Sequence, residues 1–162
     1  RQLLVMSPDP KSRPRYADVV TEVNKKVAKD KPWVKGVYEG VIAATLISKQ
    51  QQLVQRNRIA LIVLDSTIEI AFKEYLVNDS GTYYSDAQLL TIFKTRHAVH
   101  TEIKKYVKFP PKLWKKISHL SDNRNKLVHQ RATGGVSDSE IEGYRDVVEA
   151  VLRKLYKLKF SK

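Results

Sequence analysis

Between residues 141 and 158 apolar side chains recur at Ile141, Tyr144, Val147, Val148, Val151, Leu152, Leu155 and Leu158. Steps of three and four turn such a series into one continuous face only on an α-helix. Ser137 and Glu140 stand just before it with the spacing of a capping box, so the helix has a defined start. A helix with so wide an apolar stripe must bury it against other elements. The rest of the chain offers more helices and no stretch that alternates convincingly at period two, so an all-α bundle with little or no sheet is expected.

Going back along the chain, Tyr16 to Lys29 reads as a first amphipathic helix, with Val19, Val20, Val23 and Val27 on one stripe, ended by Asp30-Lys31-Pro32. Val34 to Leu53 reads as a second, through Val37, Val41, Ala44 and Ile47. Gly36 and Gly40 weaken it or let a neighbour approach closely. Ile59 to Val77 is the most apolar segment. Ile59 to Leu64 is apolar on every side, which predicts the centre of the bundle, and Asp65, Ser66, Thr67 and Glu69 interrupt it with groups that need partners if buried. Asn78 to Thr82 is a loop. Ser85 or Asp86 caps a helix over Ala87 to Lys108, Phe109-Pro110-Pro111 breaks the chain, and Lys112 to about Gln130 is helical up to Thr133-Gly134-Gly135. The expected architecture is an antiparallel bundle of about five helices within a domain spanning 16–162, its core about 34–160.

The first residue is Arg1, which points to a chain cut from something longer. Pro8, Pro10 and Pro14 among small and charged residues make 1–15 read as a linker from an upstream domain. With 42% hydrophobic and 29% charged residues the class is globular rather than disordered. No cysteine is present, which excludes disulfides and thiolate metal sites and fits a cytoplasmic setting. Charges interrupt every apolar run before the ~20 residues that a membrane span requires, and no signal peptide is evident. The formal net charge of +13 favours polyanions as partners, RNA or DNA above anionic lipid. That charge is concentrated. From Lys108 to Arg131 the seven basic residues 108, 112, 115, 116, 124, 126 and 131 face one acid, Asp122, and Arg153 to Lys162 adds five more with no acid.

Within this basic region Arg124-Asn-Lys-Leu-Val-His129 is the one concentration of candidate chemistry. Asn125 and His129 are four apart and share a helix face. Arg124 and His129 are about 140° apart around an axis of 3.6 residues per turn, and can still flank a common cleft if the helix frays near Thr133-Gly134. The plain alternative is a surface helix end with His129 at the negative pole of the dipole.

This Arg, four residues, His pattern resembles the signature of the HEPN superfamily. So does its context: a central apolar helix with acidic residues (Arg58 to Glu69), the motif closing the penultimate long helix, and a final amphipathic helix packing back. The similarity covers about Val34 to Phe160. It implies a metal-independent endoribonuclease, in the setting of a toxin or defence effector, or else a non-catalytic HEPN module for dimerisation, nucleotide or nucleic-acid binding. In active members the Arg, the polar residue after it and the His form the site, which here are Arg124, Asn125 and His129. RNA supplies its own nucleophile, the 2′-hydroxyl, so no cofactor is expected; His129 serves as proton-transfer group and Arg124 as the fork for phosphate oxygens. One histidine cannot be base and acid at once, and a homodimer bringing two copies of His129 to one cleft resolves this. Asp65 and Glu69 share a face of the central helix and either could fix the Arg124 guanidinium, with Glu69 the preferred partner; Glu69 paired with Lys73 is the local alternative. Lys115, Lys116, Lys126 and Arg131 are the expected RNA contacts. Partners are therefore RNA, a second copy, and an upstream domain or an antitoxin, with no membrane.

Two departures from the family pattern stand out. Many HEPN toxins paired with nucleotidyltransferase antitoxins carry a tyrosine two residues after the His, where this chain has Arg131. Some ribonucleases carry Lys just before the Arg and Glu four residues earlier, where this chain has Asn123 and His119. Elsewhere, His97 and His100 are three apart on a helix but lack a third ligand, and are expected to be surface or packing histidines. Trp33 and Trp114 are expected to be packing anchors.

Overall fold

The computed structural model describes residues 15–129 and 135–162. These form eight helices and, among the described residues, no strand: α1 (Tyr16–Val23), α2 (Lys25–Asp30), α3 (Val34–Ser48), α4 (Arg56–Asn78), α5 (Asp86–Ile92), α6 (Arg96–Ile103), α7 (Pro111–His129) and α8 (Asp138–Tyr156). The stretch read as a linker, apart from Arg15, lies outside the described residues, as does Arg131.

Helix α4 is the axis of the bundle. It packs against α3, α6, α7 and α8. Leu61, Leu64, Ile68, Phe72 and Leu76 run down it fully buried, with Ala60 and Ala71 buried beside them. The apolar band is narrower at its start than expected, since Ile59 is 41% exposed. On α3, Gly40 serves close packing: a Cβ there would run into the Thr67 side chain of α4. Gly36 has no such role, as a Cβ there meets nothing within 4 Å. The stripe of α8 is buried from Ile141 to Tyr156, and its capping box is formed as the spacing predicts, with Ser137 accepting from the Glu140 N–H. Ser85 and Gln88 form a second box at the start of α5. Pro111 occupies the first turn of α7, where its missing N–H costs nothing.

The expectation of about five helices undercounts: six segments read as helical, and two of these are broken, giving eight among the described residues. Tyr16–Lys29 is interrupted at Asn24, which is fully buried. The Asn24 amide donates to the carbonyls of Val20 (2.8 Å) and Lys159 (2.7 Å) and accepts from the Lys159 N–H at 2.8 Å. A side chain competing for backbone groups in this way breaks a helix locally. Ala87–Lys108 is interrupted between Ile92 and Arg96, where the Thr95 hydroxyl accepts from the Ala98 N–H and starts a new helix. The second helix also stops at Ser48 rather than Leu53.

Two contacts from the start of α4 locate the site region. Arg58 Nη2 donates to the Leu127 carbonyl at 3.3 Å, satisfying an orphan acceptor in the last turn of α7. Asn57 donates to the Val136 carbonyl at 3.0 Å and to Asp138 at 2.7 Å, where Arg56 also pairs at 3.1 Å, so the start of α8 is held to the same place. Trp33 donates to Asp79 at 2.8 Å, and Trp114 packs against Phe72, Phe109 and His100. Both tryptophans are anchors of packing. No helix among the described residues is long and apolar enough to cross a membrane.

Candidate functional site

Helix α7 places the candidate residues on different faces. Leu113, Ile117, Leu120 and Ser121 are buried against the bundle. Arg124 continues that inner line, one turn after Leu120. Its guanidinium approaches the buried carboxylate of Asp65 on α4, with Nε 3.6 Å from Oδ2. At that length Nε is left buried without a hydrogen bond. Arg124 Nη1 donates to Asn125 Oδ1 at 3.1 Å.

The expected preference for Glu69 as the partner of Arg124 does not hold; the carboxylate facing Arg124 is Asp65. Glu69 is occupied from another direction. Arg96 Nε lies 3.3 Å from Glu69 Oε1, and His100 Nε2 lies 2.9 Å from the same oxygen. No pairing of Glu69 with Lys73 is seen; the Lys73 ammonium sits over the Phe93 ring instead. Arg96 is the residue that sequence reasoning missed. Its two terminal nitrogens grip Asp65 at 2.8 and 2.9 Å in the bidentate manner that suits a guanidinium, and one of them also donates to the Ser121 hydroxyl. Burial pulls the Arg96 pKa down, but its hydrogen bonds to the Asp65 carboxylate and the charges of Glu69 and Asp65 more than reverse this, leaving it above the usual arginine value. Two carboxylates one turn apart inside a bundle require cations. The signal for Arg96 was its phase: Arg96, Val99, His100 and Ile103 fall on one face of α6, and Val99 and Ile103 are core residues.

His100 is thus a packing histidine, edge-on to Phe72 with ring centroids 5.2 Å apart, whereas His97 is exposed. Among the described residues no group of three or more His, Asp or Glu side chains is arranged to hold a metal ion.

Comparison with protein-family models, with curated proteins and with solved structures finds no match. The site must therefore be read from its own geometry. His129 is the last residue of α7 and is exposed, as is Asn125 one turn before it. Lys115, Lys116 and Lys126 are also exposed. Within one chain, then, Asp65, Arg124 and Asn125 are brought together. His129 joins them only through the face it shares with Asn125, since it lies about 140° around the helix from Arg124 at 3.6 residues per turn.

Proposed function

We propose that this chain is a HEPN-like, metal-independent endoribonuclease whose site is Arg124, Asn125 and His129. The observation that carries the reading is the hydrogen bond from Arg124 to Asn125 above the buried Asp65 carboxylate. Asp65 limits the swing of the guanidinium from beneath. Asn125 extends the polar group onto the outer face, where His129 follows one turn later. Arg124 then receives the phosphate, and His129 handles the proton. The 2′-oxygen attacks phosphorus as its proton leaves to a base; the P–O5′ bond breaks as the 5′-oxygen takes up a proton. The products are a 2′,3′-cyclic phosphate and a 5′-hydroxyl. Base and acid are both needed, and a two-fold pair of chains supplies two copies of His129. Lys115, Lys116 and Lys126 hold flanking phosphates. The HEPN resemblance adds to this proposal an effector role in toxicity or defence.

A second reading is a non-catalytic HEPN module that dimerises or binds nucleic acid. It is favoured by the commitment of Arg124 to Asp65 and by the angle separating it from His129. Incubation of RNA with the wild-type chain and with His129→Ala in EDTA decides between them. Cleavage by the wild type alone, leaving cyclic phosphate ends, supports the enzyme. Absence of cleavage by both leaves the binding module, and equal cleavage by both ends the ribonuclease reading of this motif. Solution mass tests the dimer: a strict monomer at micromolar concentration counts against the shared site.

A further inference from the structure

Helices α7 and α8 do not close completely over one another. Between them runs a groove of about 550 Å³, within the ~300–1,000 Å³ typical of ligand sites. Its floor is apolar, made by Leu113, Val147 and Ala150. The α7 wall carries Lys112, Lys115 and Lys116, all exposed, and the ring of His119. His119 lies 6.0 Å from the Tyr144 ring, and the Tyr144 hydroxyl is held by the Asn123 amide, which fixes that end of the groove. The α8 wall carries Glu140 and Asp146. The middle of that wall is open because residue 143 is glycine, and a Cβ there meets nothing within 4 Å.

Cations on one wall, carboxylates on the other and an apolar floor with a ring at its edge match a nucleotide. A phosphate meets the lysines, the flat base lies on the floor beside His119, and the exocyclic amino group of an adenine, cytosine or guanine donates to Asp146 or Glu140. We infer that this groove is a subsite for one unpaired base of a single-stranded RNA. The inference rests on the RNA reading of the same helix and deepens it. His119 and His129 lie on one flank of α7, about 15 Å apart at 1.5 Å per residue, with Lys126 between them. A strand whose base is seated at His119 therefore runs along α7 toward His129 within a few nucleotides. Paired bases cannot enter the groove, so the substrate is single-stranded.

Binding of the full chain to a short single-stranded RNA, to its abasic counterpart with the same phosphates, and to an RNA duplex tests the subsite. The base-bearing strand is expected to bind about tenfold more tightly than the abasic one. Gly143→Leu fills the groove, and as an exposed glycine inside a helix its replacement leaves the melting temperature unchanged or raised. It is expected to erase the difference between the two strands while leaving abasic binding intact. Equal binding of base-bearing and abasic strands by the wild type overturns the subsite and leaves general phosphate attraction. Retention of the difference in Gly143→Leu also overturns it. A polyglutamate peptide that binds the wild type and is expelled by Gly143→Leu overturns it in favour of an acidic protein partner. Failure to bind any of the strands removes the RNA reading along with it. Base-dependent binding without any cleavage leaves the subsite standing and removes only the ribonuclease.

Discussion

The two sides of helix α7 carry cations for opposite ends. On the inner side Arg124 meets Asp65, which Arg96 already grips through two hydrogen bonds, with Ser121 closing the cluster. On the outer side Lys112, Lys115, His119, Lys126 and His129 follow one another in helical steps and all stand in solvent. The inner cations neutralise buried carboxylates and are bound into the fold. Among the described residues none of the outer lysines makes an ion pair, and on the proposed function they face a polyanion. Net charge alone does not separate these populations, although only the outer one contributes to attraction at a distance. Arg124 is where they meet, since its terminal nitrogen reaches Asn125 on the outer side.

The sharpest test of the contrast is His129→Ala. Rate is expected to fall by ~10²–10⁴, the usual cost of losing an acid–base group, with circular dichroism and RNA affinity nearly unchanged. Single-turnover cleavage beside a binding titration at fixed salt measures both. Unaltered cleavage by the folded variant ends the ribonuclease reading of this motif, and a parallel loss of binding assigns His129 to the surface that holds RNA.

Arg96→Ala is next, and its effect should fall on stability. Breaking a buried ion pair costs ~3–5 kcal/mol, and roughly the lower end is expected because Arg124 remains near Asp65. Urea unfolding measures it. A loss below ~1 kcal/mol would mean that the inner cations are as dispensable as the outer ones, whose replacement at Lys115 or Lys116 is expected to change stability by no more than ~0.5 kcal/mol. Arg124→Ala should fall between, losing about 1 kcal/mol and, unlike Arg96→Ala at a temperature where both are folded, also phosphate affinity.

The smallest effect is expected in alkali. Burial raises the Tyr144 pKa above the ordinary tyrosine value of 10.0, outweighing the opposing Asn123 hydrogen bond. A raised folded-state pKa contributes stability that is whole below pH ~10 and lost as pH climbs through the raised value. Arg96 is shifted upward as well, so the inner ion pairs keep their charge over that range. The urea midpoint should therefore fall above pH ~10, and less steeply in Tyr144→Phe. An identical slope in the variant would place the alkaline loss elsewhere.

Much of this arrangement was legible from residue spacing. The stripe of α8, its Ser137–Glu140 box and the break ahead of α7 each rest on local rules and each is formed, although Pro111, read as part of the break, is the first residue of α7. The breaks at Asn24 and Thr95 were not legible, because a polar residue on an amphipathic stretch looks the same whether it is solvated or turned inward. Arg96 and His100 share the phase of Val99 and Ile103, but without the placement of that face against α4 Glu69 was left free for Arg124, when in the fold α6 supplies its partners. The Asp65 alternative followed from helical phase alone, as phase on unbroken α4 and α7 is reliable.

Asn24 finally bears on the order in which the molecule can be completed. Its backbone partner Lys159 is 135 residues away along the chain, and the Tyr16 hydroxyl meets Glu149 at a separation of 133. Neither contact can form until almost the whole domain has been synthesised, and closing so long a loop is slow compared with local helix formation. During translation α1 and α2 wait without their fastening, while α3 and α4 can already pair. These two contacts are therefore expected to be among the last to form, once the residues around Lys159 have joined the fold.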